Sequence, residues 1–264
     1  MLSRLLEHGK VTVAELSRSL NVSEMTIRRD LEELADRGVA KRIYGGAVLA
    51  NPRAVEPGFA DRVAVDASYK AAIGRAAAAL VNDGDAVIVD AGTTTLEAAR
   101  ALIGRRDLTV CPLSFQATAL LATQPGITVL TPGGQLRPGE LMYIGPVTER
   151  MLAEFQFDIY LMAVGGISAE RGLTDFFIPD VEVKKRALRS ARRVVVTADA
   201  TKIDAVAFAR IGPVDSVDVL VTDQRADPDA LAALADHGIE VIVADEASPH
   251  TTLDTDNHQG SGIR

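Results

Sequence analysis

Two stretches of this chain carry residue types at spacings that suit phosphate-bearing partners. The first interleaves Ser23, Met25, Thr26, Arg28 and Arg29 with an apolar series at Ile27, Leu31, Leu34 and Ala35. That series repeats at i, i+4, i+7 and i+8, the inner stripe of a helix. At about 100° per residue, turning the stripe inward leaves Met25, Arg29 and Glu33 outward, with Thr26 and Arg28 on the margins. A helix showing arginines and a hydroxyl near its amino end suits a major groove, where arginine holds a guanine edge with two hydrogen bonds or clamps a phosphate. The plainer alternative is a solvated face on which Arg28 and Arg29 pair with Asp30, Glu32 and Glu33.

The second stretch is Asp90-Ala91-Gly92-Thr93-Thr94-Thr95, directly after an apolar run. At the carboxyl end of a strand, Gly92 lets the backbone bend close to a ligand, the threonines donate hydroxyl hydrogen bonds, and the next helix offers free amides and the positive end of its dipole. A threonine cap after a strand is the structural alternative. Similar loops follow later strands: Gly133-Gly134, Gly165-Gly166, and Asp199-Ala200-Thr201-Lys202. Lys184, early in a helix, and Lys202, past a strand end, are point charges that could meet a phosphate, although most such lysines are merely solvated.

Other chemistries lack their residues. No Gly-x-x-x-x-Gly-Lys-Ser/Thr loop and no Gly-x-Gly-x-x-Gly is present, so nucleotide hydrolysis and dinucleotide binding go unsupported. The histidines, His8, His237, His250 and His258, show no ligand spacing. No metal and no cofactor is expected. Asp90 and Glu182 leave open a carboxylate base acting next to a carbonyl, as in a sugar-phosphate isomerase.

The elements that must position these residues fall into two units. In the first, residues 1–50, Leu2, Leu5 and Leu6 suit a short helix ending near Gly9. Thr12 and Glu15 form a capping box ahead of Val13, Leu16 and Leu20. Asn21-Val22 is a tight turn, Ser23 an N-cap, and Gly38 a helix stop. Residues 39–44, Gly45-Gly46 and 47–49 read as a basic hairpin, a wing able to set Lys41, Arg42 and Tyr44 against the duplex backbone. The second unit follows a linker at 51–65 that contains Pro52, Pro57 and Gly58. In 66–245, apolar runs at 86–90, 108–111, 127–131, 159–164, 194–197, 217–221 and 240–243 alternate with helical segments at 67–80, 95–103, 115–122, 147–154, 181–191 and 228–236. Such alternation specifies an α/β layer fold with a mainly parallel sheet. Residues 246–264 are polar and are expected to be disordered.

Composition bounds the rest. With 47% hydrophobic and 24% charged residues the chain is ordinary globular protein. No apolar run approaches the ~18 residues that span a bilayer, and the opening MLSRLLEHGK is broken too soon for a secretory core. A single Cys111 excludes an intrachain disulfide, which fits a cytoplasmic address. The net charge of −8 divides into +1 over residues 1–50 and −9 over the remainder. The acidic excess therefore lies outside the candidate DNA-binding unit.

Four quoted segments, Val13-Ala14-Glu15-Leu16, Asn21-Val22-Ser23, Thr26-Ile27-Arg28-Arg29-Asp30-Leu31 and Arg42-Ile43-Tyr44-Gly45-Gly46-Ala47, resemble the DeoR family of bacterial transcription regulators. The second unit resembles that family's sensor domain, similar in fold to ribose-5-phosphate isomerase, through Asp90 to Thr95, Gly133 to Arg137, Gly172-Leu173-Thr174, Glu182-Val183-Lys184 and Asp199 to Lys202. The resemblance implies a winged helix-turn-helix that sets Ser23, Thr26, Arg28 and Arg29 on double-stranded operator DNA. It also implies a sensor in which Gly92, Thr93, Thr94 and Thr95 hold the phosphate of a sugar-phosphate effector, with Lys184, Asp199 and Lys202 nearby. Two loops depart from the family pattern. Pro112-Leu113-Ser114 keeps only the serine of a Thr-Asn-Ser run, and Val164-Gly165-Gly166 lacks an aspartate that relatives carry. The expected protein is a homo-oligomeric repressor of carbohydrate genes, a dimer or larger, with no membrane partner.

Overall fold

The computed structural model describes residues 1, 4–5, 10–36, 40–49 and 58–245. Its amino-terminal unit runs β1 (Lys10–Thr12), α1 (Val13–Leu20), α2 (Glu24–Asp36), β2 (Ala40–Ile43) and β3 (Gly46–Leu49). Half of the capping box forms: the Glu15 amide donates to Thr12 Oγ1 at 3.3 Å, while the Thr12 hydroxyl, in place of its amide, donates to Glu15 Oε2 at 2.7 Å. Asn21, at φ 53°, turns the chain out of α1, and Ser23 Oγ accepts from the Thr26 amide at 3.2 Å to start α2. Val13, Leu16, Ile27, Leu31 and Leu34 close a small core with Leu5, Val11, Ala40 and Ala47. Ala35, expected inside, is only half-buried. The wing gains a strand that periodicity did not announce, because β1 pairs with β3 to give the order β1-β3-β2. Gly46 permits the pairing, since a Cβ there would lie 2.0 Å from the Val11 carbonyl oxygen. Residues 4–5 are helical; the rest of the expected first helix, Gly38, the tail at 246–264 and the linker at 51–57 lie outside the described residues.

One expectation for the linker is corrected: its last part is helical, as α3 (Phe59–Val63). The body continues with α4 (Ala67–Ala78), β4 (Ala86–Val89), α5 (Thr93–Ala101), β5 (Leu108–Pro112), α6 (Phe115–Leu121) and β6 (Ile127–Val129). Next come β7 (Gln135–Leu136), β8 (Tyr143–Ile144), α7 (Pro146–Ala153), β9 (Phe157–Met162), β10 (Gly166–Ser168) and β11 (Gly172–Asp175). The body ends with α8 (Ile178–Ser190), β12 (Ala191–Thr197), β13 (Ala209–Gly212), β14 (Val219–Asp223), α9 (Pro228–Ala235) and β15 (Glu240–Ala244). The seven strands expected over 66–245 join one sheet in the order β6-β5-β4-β9-β12-β14-β15, and every pair in it is parallel.

Alternate strand residues feed two cores, as a doubly covered parallel sheet requires. Val87, Val89, Val110, Leu161 and Val221 pack under α4, α5 and α6, whereas Ile88, Tyr160, Met162, Val196 and Leu220 pack under α7, α8 and α9. Cys111 belongs to the second core, where burial pushes its thiol up to about 12. The elements missed by sequence reading are a small antiparallel sheet, β10-β11-β13, and the ribbon β7-β8. Strands of two to four residues are too short to show a period. Among the described residues no helix is long and apolar enough to cross a membrane.

The strand order fixes where a ligand can sit. From β4 the chain steps outward through β5 and β6, then returns to β9 on the other side and steps outward through β12, β14 and β15. The carboxyl ends of β4 and β9 therefore flank the topological switch point, where diverging connections leave a crevice.

Candidate functional site

Asp90 ends β4 at that crevice. Its Oδ1 accepts from the Ala91 amide at 2.8 Å. Its Oδ2 accepts from Tyr160 Oη at 2.7 Å, the Ala163 amide at 3.1 Å and Lys184 Nζ at 2.7 Å. Lys184 Nζ also donates to the Ala163 carbonyl at 2.7 Å and lies 3.1 Å from Asp175 Oδ2. The ammonium thus has two hydrogen-bond acceptors, Asp90 and the Ala163 carbonyl, and a second carboxylate, Asp175, in ion-pair contact. Burial alone would lower the Lys184 pKa, but the Asp90 and Asp175 carboxylates outweigh it and hold the amine above its ordinary range. Burial, followed by the Asp90 charge, pushes the Tyr160 hydroxyl up. The expectation that Lys184 offers a free point charge is thus corrected. It is a buried counter-ion tying α8 to the ends of β4, β9 and β11, and Asp90 is the hub it holds.

Above this hub, Gly92 is required by space: a Cβ would come within 2.9 Å of Ala163 Cβ and 3.1 Å of Thr95 Oγ1. The first bond of α5 runs from the Leu96 amide to the Gly92 carbonyl at 3.0 Å, so the amides of Thr93, Thr94 and Thr95 precede the helical ladder. All three threonines are buried, and Thr95 Oγ1 donates to the Gly92 carbonyl at 3.1 Å. The crevice is a cavity of about 30 Å³ lined by Gly92, Lys184, Arg62, Arg137, Glu140 and Asp180, among others. Arg62 pairs with Glu140 at 2.5 Å, and Arg137 with Asp180 at 2.7 Å. The Arg137 guanidinium also stands over the Phe177 ring, 5.0 Å from its centre. Arg62, Glu140, Asp175 and Asp180 were not legible as site residues. Arg137 was legible only as part of a family-like stretch.

Of the expected effector residues only Gly92 and Lys184 line this cavity; Asp90, Thr93, Thr94 and Thr95 flank its lining residues in the chain, and the rest share the carboxyl edge of the sheet. Ser114 caps α6 by accepting from the Ala117 amide at 3.2 Å. Gly133 and Gly134, at φ +68° and +95°, bring the turn after β6 against α7. A Cβ on Gly134 would lie 2.3 Å from Thr148 Oγ1, which donates to the Gly133 carbonyl at 2.8 Å. Asp199 accepts from the Thr201 amide at 3.0 Å, and Lys202 Nζ stands 5.9 Å from the centre of the Phe176 ring. A larger cleft of about 240 Å³ is lined by Ser168, Asp204, Asp227 and Asp229. Its carboxylates oppose an anionic ligand. As for a carboxylate base, the Asp90 oxygens are occupied as described, and Glu182 is an exposed partner of Lys185 at 2.8 Å.

On the amino-terminal unit, Ser23, Thr26, Arg28 and Arg29 are exposed, and Met25 is 76% exposed. Arg28 pairs with Glu24 at 3.1 Å, one turn back, rather than with the acids that follow it. Tyr44 stands fully in solvent at the wing tip, Lys41 is exposed and Arg42 half-buried. Arg42 Nη1 donates to the Arg28 carbonyl at 3.4 Å, joining the wing to α2. The arginine-bearing helix and the basic hairpin therefore form one accessible face.

Comparison with known proteins agrees with this architecture. The DeoR-like helix-turn-helix domain matches residues 1–53, and the DeoR C terminal sensor domain matches residues 65–224. The chain is 32% identical to the HTH-type transcriptional repressor CsqR of Escherichia coli (strain K12) over 246 residues, 93% of this chain and 94% of that one. It is 32% identical to the HTH-type transcriptional regulator GolR of Listeria innocua over 239 residues, 90% and 94% of the two. It is 28% identical to the glycerol-3-phosphate regulon repressor of Escherichia coli (strain K12) over 235 residues, 89% and 93%. Among solved structures, ribose 5-phosphate isomerase A of Methanocaldococcus jannaschii aligns over 50% of this chain and 52% of its own, at 21% identity and a TM-score of 0.38, a likeness too slight to argue from. The chain belongs to the DeoR family of transcriptional regulators.

Proposed function

We propose that this regulator represses carbohydrate-metabolism genes by gripping double-stranded operator DNA, and that a phosphorylated sugar relieves the repression. The observation that carries the reading is the pairing of two separate surfaces. One is the exposed face of Met25, Thr26, Arg28 and Arg29 with the wing residues Lys41, Arg42 and Tyr44. The other is an arginine-lined crevice at the switch point, next to the first turn of α5. On this reading Ser23 and the arginines meet phosphate and base edges, while the wing clamps the backbone. The effector phosphate rests over Gly92, Thr93, Thr94 and Thr95, where amides without helical partners and the helix dipole favour an anion. Asp90 and Lys184 hold that loop from beneath, and Ser114, Gly133, Gly134, Asp199 and Lys202 shape the surrounding edge. The protein acts in the cytoplasm as a homo-oligomer, a dimer or larger, matching the symmetry of operators.

Release from DNA requires that the effector bind one arrangement of the molecule better than the other, by about 1–3 kcal/mol for a typical coupling. Fluorescence anisotropy on promoter DNA from the chain's own genomic neighbourhood tests the reading. Salt-sensitive, sequence-selective binding that a pentose or hexose phosphate reverses is the expected result; binding that ignores both salt and sequence would refute it.

A further inference from the structure

We propose that Arg62 is an effector-binding residue supplied by the linker, so that the helix leading from the DNA-binding unit is itself a wall of the effector crevice. This rests on the crevice being the effector site. α3 stands between the two units, yet its Arg62 side chain lines the crevice and is only 16% exposed, held against Glu140. The cavity of about 30 Å³ has room for a water, so a sugar phosphate enters only when a wall yields. The Asp90–Lys184–Asp175 cluster cannot yield without stranding buried charges. Arg62 and Glu140 join two short segments, a five-residue helix and the turn between β7 and β8, so parting them moves these segments and leaves the sheet in place, provided the buried Glu140 carboxylate finds a new partner.

Charge completes the case. The crevice wall pairs Arg62 with Glu140 and Arg137 with Asp180. A phosphate that takes a guanidinium gives it a bidentate partner of higher charge. The carboxylate left behind then needs a donor, which the several hydroxyls of a sugar ester supply away from the phosphoryl group, whereas the P–OH of inorganic phosphate sits on the very group the guanidinium holds. The crevice therefore selects polyol phosphates over inorganic phosphate, and binding shifts α3. Lys70 sets the pivot: its Nζ donates to the Arg62 and Val65 carbonyls, both at 2.6 Å, fastening the carboxyl end of α3 to α4.

The test uses the full chain, with inorganic phosphate, ribose 5-phosphate, glucose 6-phosphate and fructose 6-phosphate as probes in thermal-shift and calorimetric titrations. The variants are Thr94→Val and the double substitution Arg62→Gln with Glu140→Gln, which removes both charges together and leaves neither buried alone. The expected result is an ester that binds wild type better than inorganic phosphate, and binds the double variant about tenfold less tightly. Hydrogen exchange of wild-type amides 59–66 is expected to change on binding, which holds the test open should the double variant melt early. Binding of the double variant within about threefold of wild type, or unchanged exchange at 59–66, overturns the proposal while Thr94→Val still loses the ester. Should Thr94→Val bind as wild type does, or no probe bind wild type, the effector reading itself falls.

Discussion

At the scale of single residues, Lys184 is a buried cation held between two carboxylates. Its side chain is 3% exposed between Asp90 and Asp175. Lys184→Ala leaves those carboxylates buried without a cation, and about 3–5 kcal/mol of stability is expected to vanish in urea titrations. Because the folded amine is held above its ordinary 10.5, its contribution is complete below that pH and fades only as pH rises through the folded value. Asp223 behaves in the opposite sense. Burial would raise its pKa, but hydrogen bonds from Arg225 and from the Ala200 and Arg225 amides outweigh it and hold the carboxyl below 3.8. The stabilisation is present above 3.8 and is lost as pH falls through the folded value. Asp223→Asn should therefore lower stability near neutrality, with the gap from wild type narrowing as pH falls below 3.8. On the DNA face, Arg29→Ala should weaken promoter binding about tenfold and flatten the log K against log salt slope by about one unit, without lowering the melting temperature.

At the scale of elements, α4 and α5 pack through Gly74. Replacing a helical glycine with alanine ordinarily gains about 1 kcal/mol. At this position the new Cβ would meet the Ala98 amide nitrogen and the Glu97 carbonyl carbon at 2.6 Å, and backbone cannot give way as a side-chain tip can. The steric term wins, so Gly74→Ala should destabilise the body by about 1–3 kcal/mol, read as a lower melting temperature. On the function proposed above, the loss extends to effector binding, because α5 carries Thr93, Thr94 and Thr95 in its first turn, directly after the crevice residue Gly92.

At the scale of the whole molecule, charge is partitioned. The unit proposed to hold DNA carries +1, and the remainder −9. The acidic body is kept from the duplex by its own field, leaving contact to the winged unit. The proposed homo-oligomer would present at least two such units. Sedimentation should give a mass at least twice 28.0 kDa, and the operator should contain two half-sites about one helical turn apart or a multiple of that. Inserting about half a turn between them should cost at least tenfold in affinity, while an unchanged affinity would speak for independent monomers.

Local patterns in the chain were enough for the capped helices around Ile27, Leu31 and Leu34, the basic hairpin, and the seven strands of the large sheet with most of their intervening helices. Each declared itself through an apolar run, a cap or a turn residue, and those signals are local. Tertiary structure alone decided which loops meet. Strand order is not written in any local pattern, so nothing in the chain announces that Ser114, Gly133 and Asp199 stand aside while Arg62, Arg137, Glu140 and Asp180 share a crevice with Gly92. The role of Lys184 was hidden for the same reason. The partners that fix its charge, Asp90 and Asp175, come from distant segments, and a lysine's function follows from what it faces once the chain has closed.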